Sequence, residues 1–116
     1  MKITVYGIPN CGSVKKARTF LEEHQLAYDF HDYKKQGVTE DLLKKWCEEF
    51  GWETVLNRKG MTWRNLDAAT QAAVKDQASA IQLMKVQNST IKRPIIESSK
   101  VNLIGFDETQ LQKVFL

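Results

Sequence analysis

The stretch Val5–Ala17, VYGIPNCGSVKKA, decides the fold. The alternating, β-branched run from Lys2 to Tyr6 reads as a strand, and Gly7 to Asn10 supply the Gly, Pro and Asn that end one. From Gly12 the hydrophobic period changes: Val14, Ala17, Phe20 and Leu21 fall on one helical face, with Lys15, Lys16, Arg18, Glu22 and Glu23 off it. A single cysteine, Cys11, therefore stands where a strand and a tight loop hand over to a helix. The amides of Gly12, Ser13 and Val14 in that first turn have no intrahelical acceptor. They favour a negative sulfur, lowering a thiol pKa from about 8.5 toward neutrality, and they also suit an oxyanion or a carboxylate. A buried apolar filler is the competing reading for a free cysteine, but Asn10, Gly12 and Ser13 are small or polar and no apolar period passes through position 11.

Outward from this stretch, Tyr28 to Tyr33 alternates aromatic and polar residues and reads as a second strand, which makes the opening a parallel βαβ unit. Thr39 is placed as a helix N-cap, Glu40 and Asp41 suit the positive end of the dipole, and Gly51 stands where that helix stops. Its apolar stripe is Leu42, Leu43, Trp46, Cys47 and Phe50, so Cys47 is expected to pack. Between Trp52 and Asn88 no long strand is predicted; Asp67 to Val74 and Gln77 to Val86 read as helices. Ile95 to Glu97 and Val101 to Ile104 form a predicted hairpin around Ser98-Ser99-Lys100, Gly105 breaks it, and a last helix begins near Asp107. With the middle helices set aside, the order is βαβ…ββα. The prediction is one α/β domain over residues 1–116 with a thioredoxin-like core at about 1–35 and 91–116 and a helical lobe inserted at about 36–90.

The 116 residues suit one core, and 42% hydrophobic with 27% charged residues exclude disordered and fibrous classes. No apolar run approaches the roughly 20 residues of a membrane span, and MKITVY lacks a signal region, so a soluble, cytoplasmic protein without a membrane partner is expected. A net charge of +3 with interspersed acids argues against direct nucleic-acid binding. Two distant cysteines without a CxxC pair fit a reduced compartment. No cluster of ligands at metal spacing, P-loop or Rossmann glycine pattern is found, so no metal and no bound cofactor are expected. Arg58, in LNRKG, and Arg93, before Pro94, are on composition either solvated cations or anion ligands.

YGIPNCGSVKKA, LNRKG, IKRPI and LIGF, with FHDY, WCEEFGW and TVLNRKG, resemble the arsenate reductase (ArsC) family over essentially the whole chain, and most of all its YffB branch, relatives of the Spx regulators. The resemblance implies a thioredoxin-like fold with a helical insertion. It makes Cys11 the catalytic cysteine, gives Arg58 and Arg93 a role in binding an oxyanion or supporting the thiolate, and makes Pro94 a cis-proline beside the thiol. Three positions depart from arsenate reductases: Gly7 stands for a histidine, Lys15 for an arginine and Gly105 for a third arginine. Lys15 replaces a forked guanidinium imperfectly, so arsenate is not the expected substrate. Val14 occupies the second position of the Spx CxxC switch, which leaves a monothiol route through a mixed disulfide. The implied function is a cytosolic, glutathione-dependent thiol oxidoreductase with Cys11 as nucleophile and Gly12, Ser13, Val14, Lys15, Arg58, Arg93 and Pro94 around it. Glutathione is the expected co-substrate and glutaredoxin a partner. The alternatives are an Spx-like regulator binding RNA polymerase, with the basic Lys34-Lys35 loop as its motivation, or an arsenate reductase with an incomplete anion site.

Overall fold

A computed structural model describes residues 2–116. Four strands form a mixed sheet in the order β2-β1-β3-β4: β1 (Ile3–Gly7), β2 (Asp29–Asp32), β3 (Ile95–Ser98) and β4 (Leu103–Ile104). β1 and β2 are parallel, with Gly7 opposite Asp32; β1 and β3 are antiparallel, with Tyr6 opposite Ile95; β3 and β4 are antiparallel, with Ile95 opposite Ile104. The parallel pair needs a crossover, and α1 (Gly12–Glu23) provides it. The amphipathic helix α8 (Glu108–Phe115) closes the chain, its N-cap Asp107 accepting the Gln110 N–H.

The residues divide into two compact units. One runs from the N-terminus to Gln36 and resumes at Arg93; the other spans Gly37–Lys92. In the first, alternation along β1 sends Ile3 and Val5 to the same side as Ile96, where Ala17, Phe20 and Leu21 of α1 and Leu111 and Phe115 of α8 cover them. Burying side chains of this kind is worth about 1.5–3 kcal/mol each for the large ones, and this layer holds α1, and so the loop before it, against the sheet. On the other side, the Tyr6 hydroxyl donates to Glu97 Oε1 at 2.8 Å.

The second unit is helical: α3 (Glu40–Phe50), α4 (Trp52–Val55), α5 (Met61–Arg64), α6 (Ala68–Ala72) and α7 (Gln77–Val86), with a 3-10 turn at Asn88–Thr90. Thr39 caps α3 by accepting the Leu42 N–H at 3.2 Å, and Gly51 ends it with φ 87°. Leu43, Trp46, Cys47, Ile81 and Met84 are buried. Leu56 bridges Ile91 in antiparallel fashion, flanked by bonds from Asn57 N–H to Thr90 O and from Lys92 N–H to Val55 O, each 2.7 Å.

Two elements differ from the sequence reading. Tyr33 does not end β2 but opens a one-turn helix, α2 (Tyr33–Gln36): Asp32 Oδ1 accepts the Lys34 N–H at 2.8 Å and turns the chain there. Val101 and Asn102 stay outside β4, because Ser98 Oγ accepts the N–H groups of Lys100 and Val101 while Asn102 Oδ1 accepts that of Ser98. Side-chain bonding replaces the ladder through that turn. Among the described residues no helix is long and apolar enough to cross a membrane.

Candidate active site

The site is assembled at the edge of the sheet where β1 ends. Gly7 is required there: a Cβ on it would stand 2.6 Å from Cγ2 of Val14, so the loop and the first turn of α1 approach as closely as the backbone permits. The loop closes with the Cys11 N–H donating to Ile8 O at 3.1 Å, and α1 starts with the Lys15 N–H donating to Cys11 O at 3.0 Å. Cys11 is thus the N-cap residue, extended at φ −87° and ψ 129°, and its thiol is partly exposed.

Cys11 forms no cap hydrogen bond through its side chain; the sulfur nonetheless lies near enough to the helix start and to Arg93 for its ionised form to feel them. Burial pushes the thiol up. The Val14 amide, the Arg93 side chain, the Ser13 amide and the Arg93 charge act the other way and together leave it below the ordinary cysteine value. The balance follows from chemistry: a thiolate gains from donors and a cation, and loses only the part of its hydration that the loop removes.

Of the residues singled out in the sequence, Ser13, Val14 and Arg93 act on the sulfur. Val14 has its side chain fully buried, so the position that holds the second thiol of a CxxC pair is committed to packing here. Gly12 faces open space, with nothing within 4 Å of where a Cβ would be, and Lys15 is exposed on the first turn. The Arg93–Pro94 peptide is cis, and Pro94 O accepts the Gly105 N–H at 2.8 Å. Gly105 itself has φ 80°. Arg58 belongs to the helical unit, where it is exposed, pairs with Glu53 Oε2 at 3.3 Å and has its guanidinium carbon 5.5 Å from the Trp52 ring centre.

Cys47 provides a contrast. It is buried in α3, and burial first, then the charge of Glu48, pushes its thiol up to about 11. Such a thiol is inert at neutral pH. Tyr33, read in the sequence as the end of the second strand, is completely buried just beyond β2. The Asp one residue earlier, an initiator of turns, is the signal that separates it from the strand.

The model of the ArsC family matches residues 6–114. An uncharacterized protein of Haemophilus influenzae is 39% identical over 113 residues, which are 97% of this chain and 98% of the relative. A solved structure of a YffB protein is 48% identical, covers 98% of this chain and 99% of its own, and superposes with a TM-score of 0.93. The global transcriptional regulator Spx of Listeria innocua is 25% identical over 113 residues, 96% of this chain and 85% of the regulator.

Proposed function

This chain belongs to the ArsC family, and from that membership and the surroundings of Cys11 we propose that it is a cytoplasmic, monothiol, glutathione-dependent thiol oxidoreductase. The observation that carries the reading is a partly exposed thiol at a helix start whose neighbouring amides and Arg93 outweigh its burial.

The cycle is a pair of thiol–disulfide exchanges. The Cys11 thiolate attacks one sulfur of an oxidised substrate, R–S–S–R′; a Cys11–S–S–R bond forms, the S–S bond breaks and R′S⁻ leaves. A glutathione thiolate then attacks the mixed disulfide and releases Cys11 as thiolate. A second glutathione, through glutaredoxin or directly, closes the balance: two electrons pass to the substrate and one oxidised glutathione is formed. The Ser13 and Val14 amides favour the sulfur anion both as attacking and as leaving group. Arg93 supplies the cationic side of carboxylate recognition, and Lys15 adds an exposed charge.

Incubation with oxidised glutathione followed by intact mass tests this. One glutathionyl group per chain is expected on the wild type and on Cys47→Ser and none on Cys11→Ser; an unmodified wild type contradicts the reading. The Spx likeness favours a second reading, a regulator docking on RNA polymerase. Its test is capture of the polymerase by wild type and Cys11→Ser alike, with no glutathione-linked disulfide reductase activity in the wild type.

A further inference from the structure

Two walls enclose a cavity of about 440 Å³ beside the first turns of α1. Lys15, Lys16, Thr19, Phe20 and Glu23 form one wall; Phe106 and Glu108, from the corner between β4 and α8, form the other. Both walls belong to the compact unit that carries Cys11. Each is also one hydrogen bond from the active-site loops: the Lys15 N–H donates to Cys11 O at 3.0 Å, and Gly105, next to Phe106, donates its N–H to Pro94 O at 2.8 Å. The cavity therefore begins one helical turn, about 6 Å along the axis, from the residue that bears the sulfur.

The lining is ordered along α1. Lys15 and Lys16, both exposed, stand at the end near Cys11. Phe20 and the half-buried Phe106 belong to the same packed core and give the middle an apolar floor. Glu23 stands at the far end. The ion pairs among the described residues engage none of these lysines or glutamates, so the two ammonium groups can receive a carboxylate that enters from the thiol side. A second carboxylate at the far end would meet Glu23, and like charges in contact are costly. Lys15 and Glu23 are two full turns apart, about 12 Å at 1.5 Å per residue. An extended peptide covers that length in about three to four residues at roughly 3.3 Å each.

We propose that this cavity is the subsite for the substrate's chain beside its disulfide, and that it takes a peptide segment in which a single acidic residue adjoins the reacting cysteine and a bulky apolar residue follows. The inference rests on the reading of Cys11 as the nucleophile and gives that reading a substrate class, peptidyl disulfides. The covalent step is unchanged: a Cys11–S–S–R bond forms, the substrate's S–S bond breaks and R′S⁻ leaves. R is the part held in the cavity, its carboxylate on Lys15 and Lys16 and its apolar side chain on Phe106.

The test is the rate at which Cys11 forms mixed disulfides with symmetrical peptide disulfides, read by mass on the Cys11 peptide. The probes are the disulfides of acetyl-Cys-Glu-Phe-amide, of its Glu-to-Gln and Phe-to-Ala analogues, and of the same three in reversed chain order. Each rate is divided by that of free N-acetylcysteine with the same probe, which removes the probe's intrinsic reactivity. On the wild type, in one of the two orders, the parent probe is expected to react about threefold faster than the Gln analogue and about tenfold faster than the Ala analogue. Lys15→Gln/Lys16→Gln is expected to erase the first preference and keep the second, and Phe106→Ala to do the reverse. Should Phe106→Ala prove unfolded in thermal melting, the probe series on the wild type and on the lysine variant, whose substituted positions are exposed, decides the question. Absence of either preference on the wild type, or its survival in the matching variant, overturns the inference, as does reaction with oxidised glutathione but with none of the probes; the functional reading then stands. A wild type that forms a mixed disulfide neither with the probes nor with oxidised glutathione overturns both.

Discussion

Gly7 and Gly105 stand at positions where the backbone and its neighbours favour glycine. Position 7 has no room for a side chain, since Val14 Cγ2 would lie 2.6 Å from its Cβ and Val14 is itself fully buried. Position 105 has φ 80°, a backbone that glycine adopts freely and an arginine does not. Gly7→Ala is expected to cost about 1–3 kcal/mol through overpacking, seen as a lower urea midpoint, and Val14→Ala in the same chain is expected to recover part of it. A Gly7→Ala protein as stable as wild type would show that the loop is looser than the contact implies.

Element ends carry much of what positions the helices. Asp76 is the clearest case: its Oδ1 accepts the Ser79 N–H at 2.9 Å while Ser79 Oγ accepts the Asp76 N–H at 3.1 Å, a reciprocal box at the start of α7. Asp76→Ala is expected to lower stability by about 1 kcal/mol, measured by urea unfolding with an unchanged slope, and an unaltered midpoint contradicts the assignment. Helix starts were also the most readable feature of the sequence. Thr39 and Asp107 announce α3 and α8 because a side-chain oxygen before an apolar stripe has one common use. The one-turn helices α2, α4 and α5 were not readable, since four residues hold too few positions to reveal a period. The strand β4 was overread at Val101 because its β-branched side chain says nothing about the Ser98 hydroxyl that captures the local amides.

At the scale of the whole chain the same limit governs the chemistry. Cys11 could be singled out as a candidate in the sequence because its surroundings are local: a loop before it and amides just after it. Arg93 lies far along the chain, and nothing in its own neighbourhood distinguishes it from a solvated cation; the family resemblance, and then the antiparallel pairing of β1 with β3, bring it to Cys11. The two thiols differ in the direction their surroundings push them, Cys11 down and Cys47 up to about 11. A group with a lowered pKa holds its charge into more acid solution, so Cys11 is expected to remain a nucleophile at pH values where Cys47 and free cysteine are protonated. The direct measurement is an ultraviolet thiolate titration of wild type and Arg93→Ala, each with its Cys11→Ser counterpart as blank. A wild-type midpoint below the free-cysteine value of about 8.5 that climbs when Arg93 is removed is the predicted result; a wild-type midpoint at or above it contradicts the account.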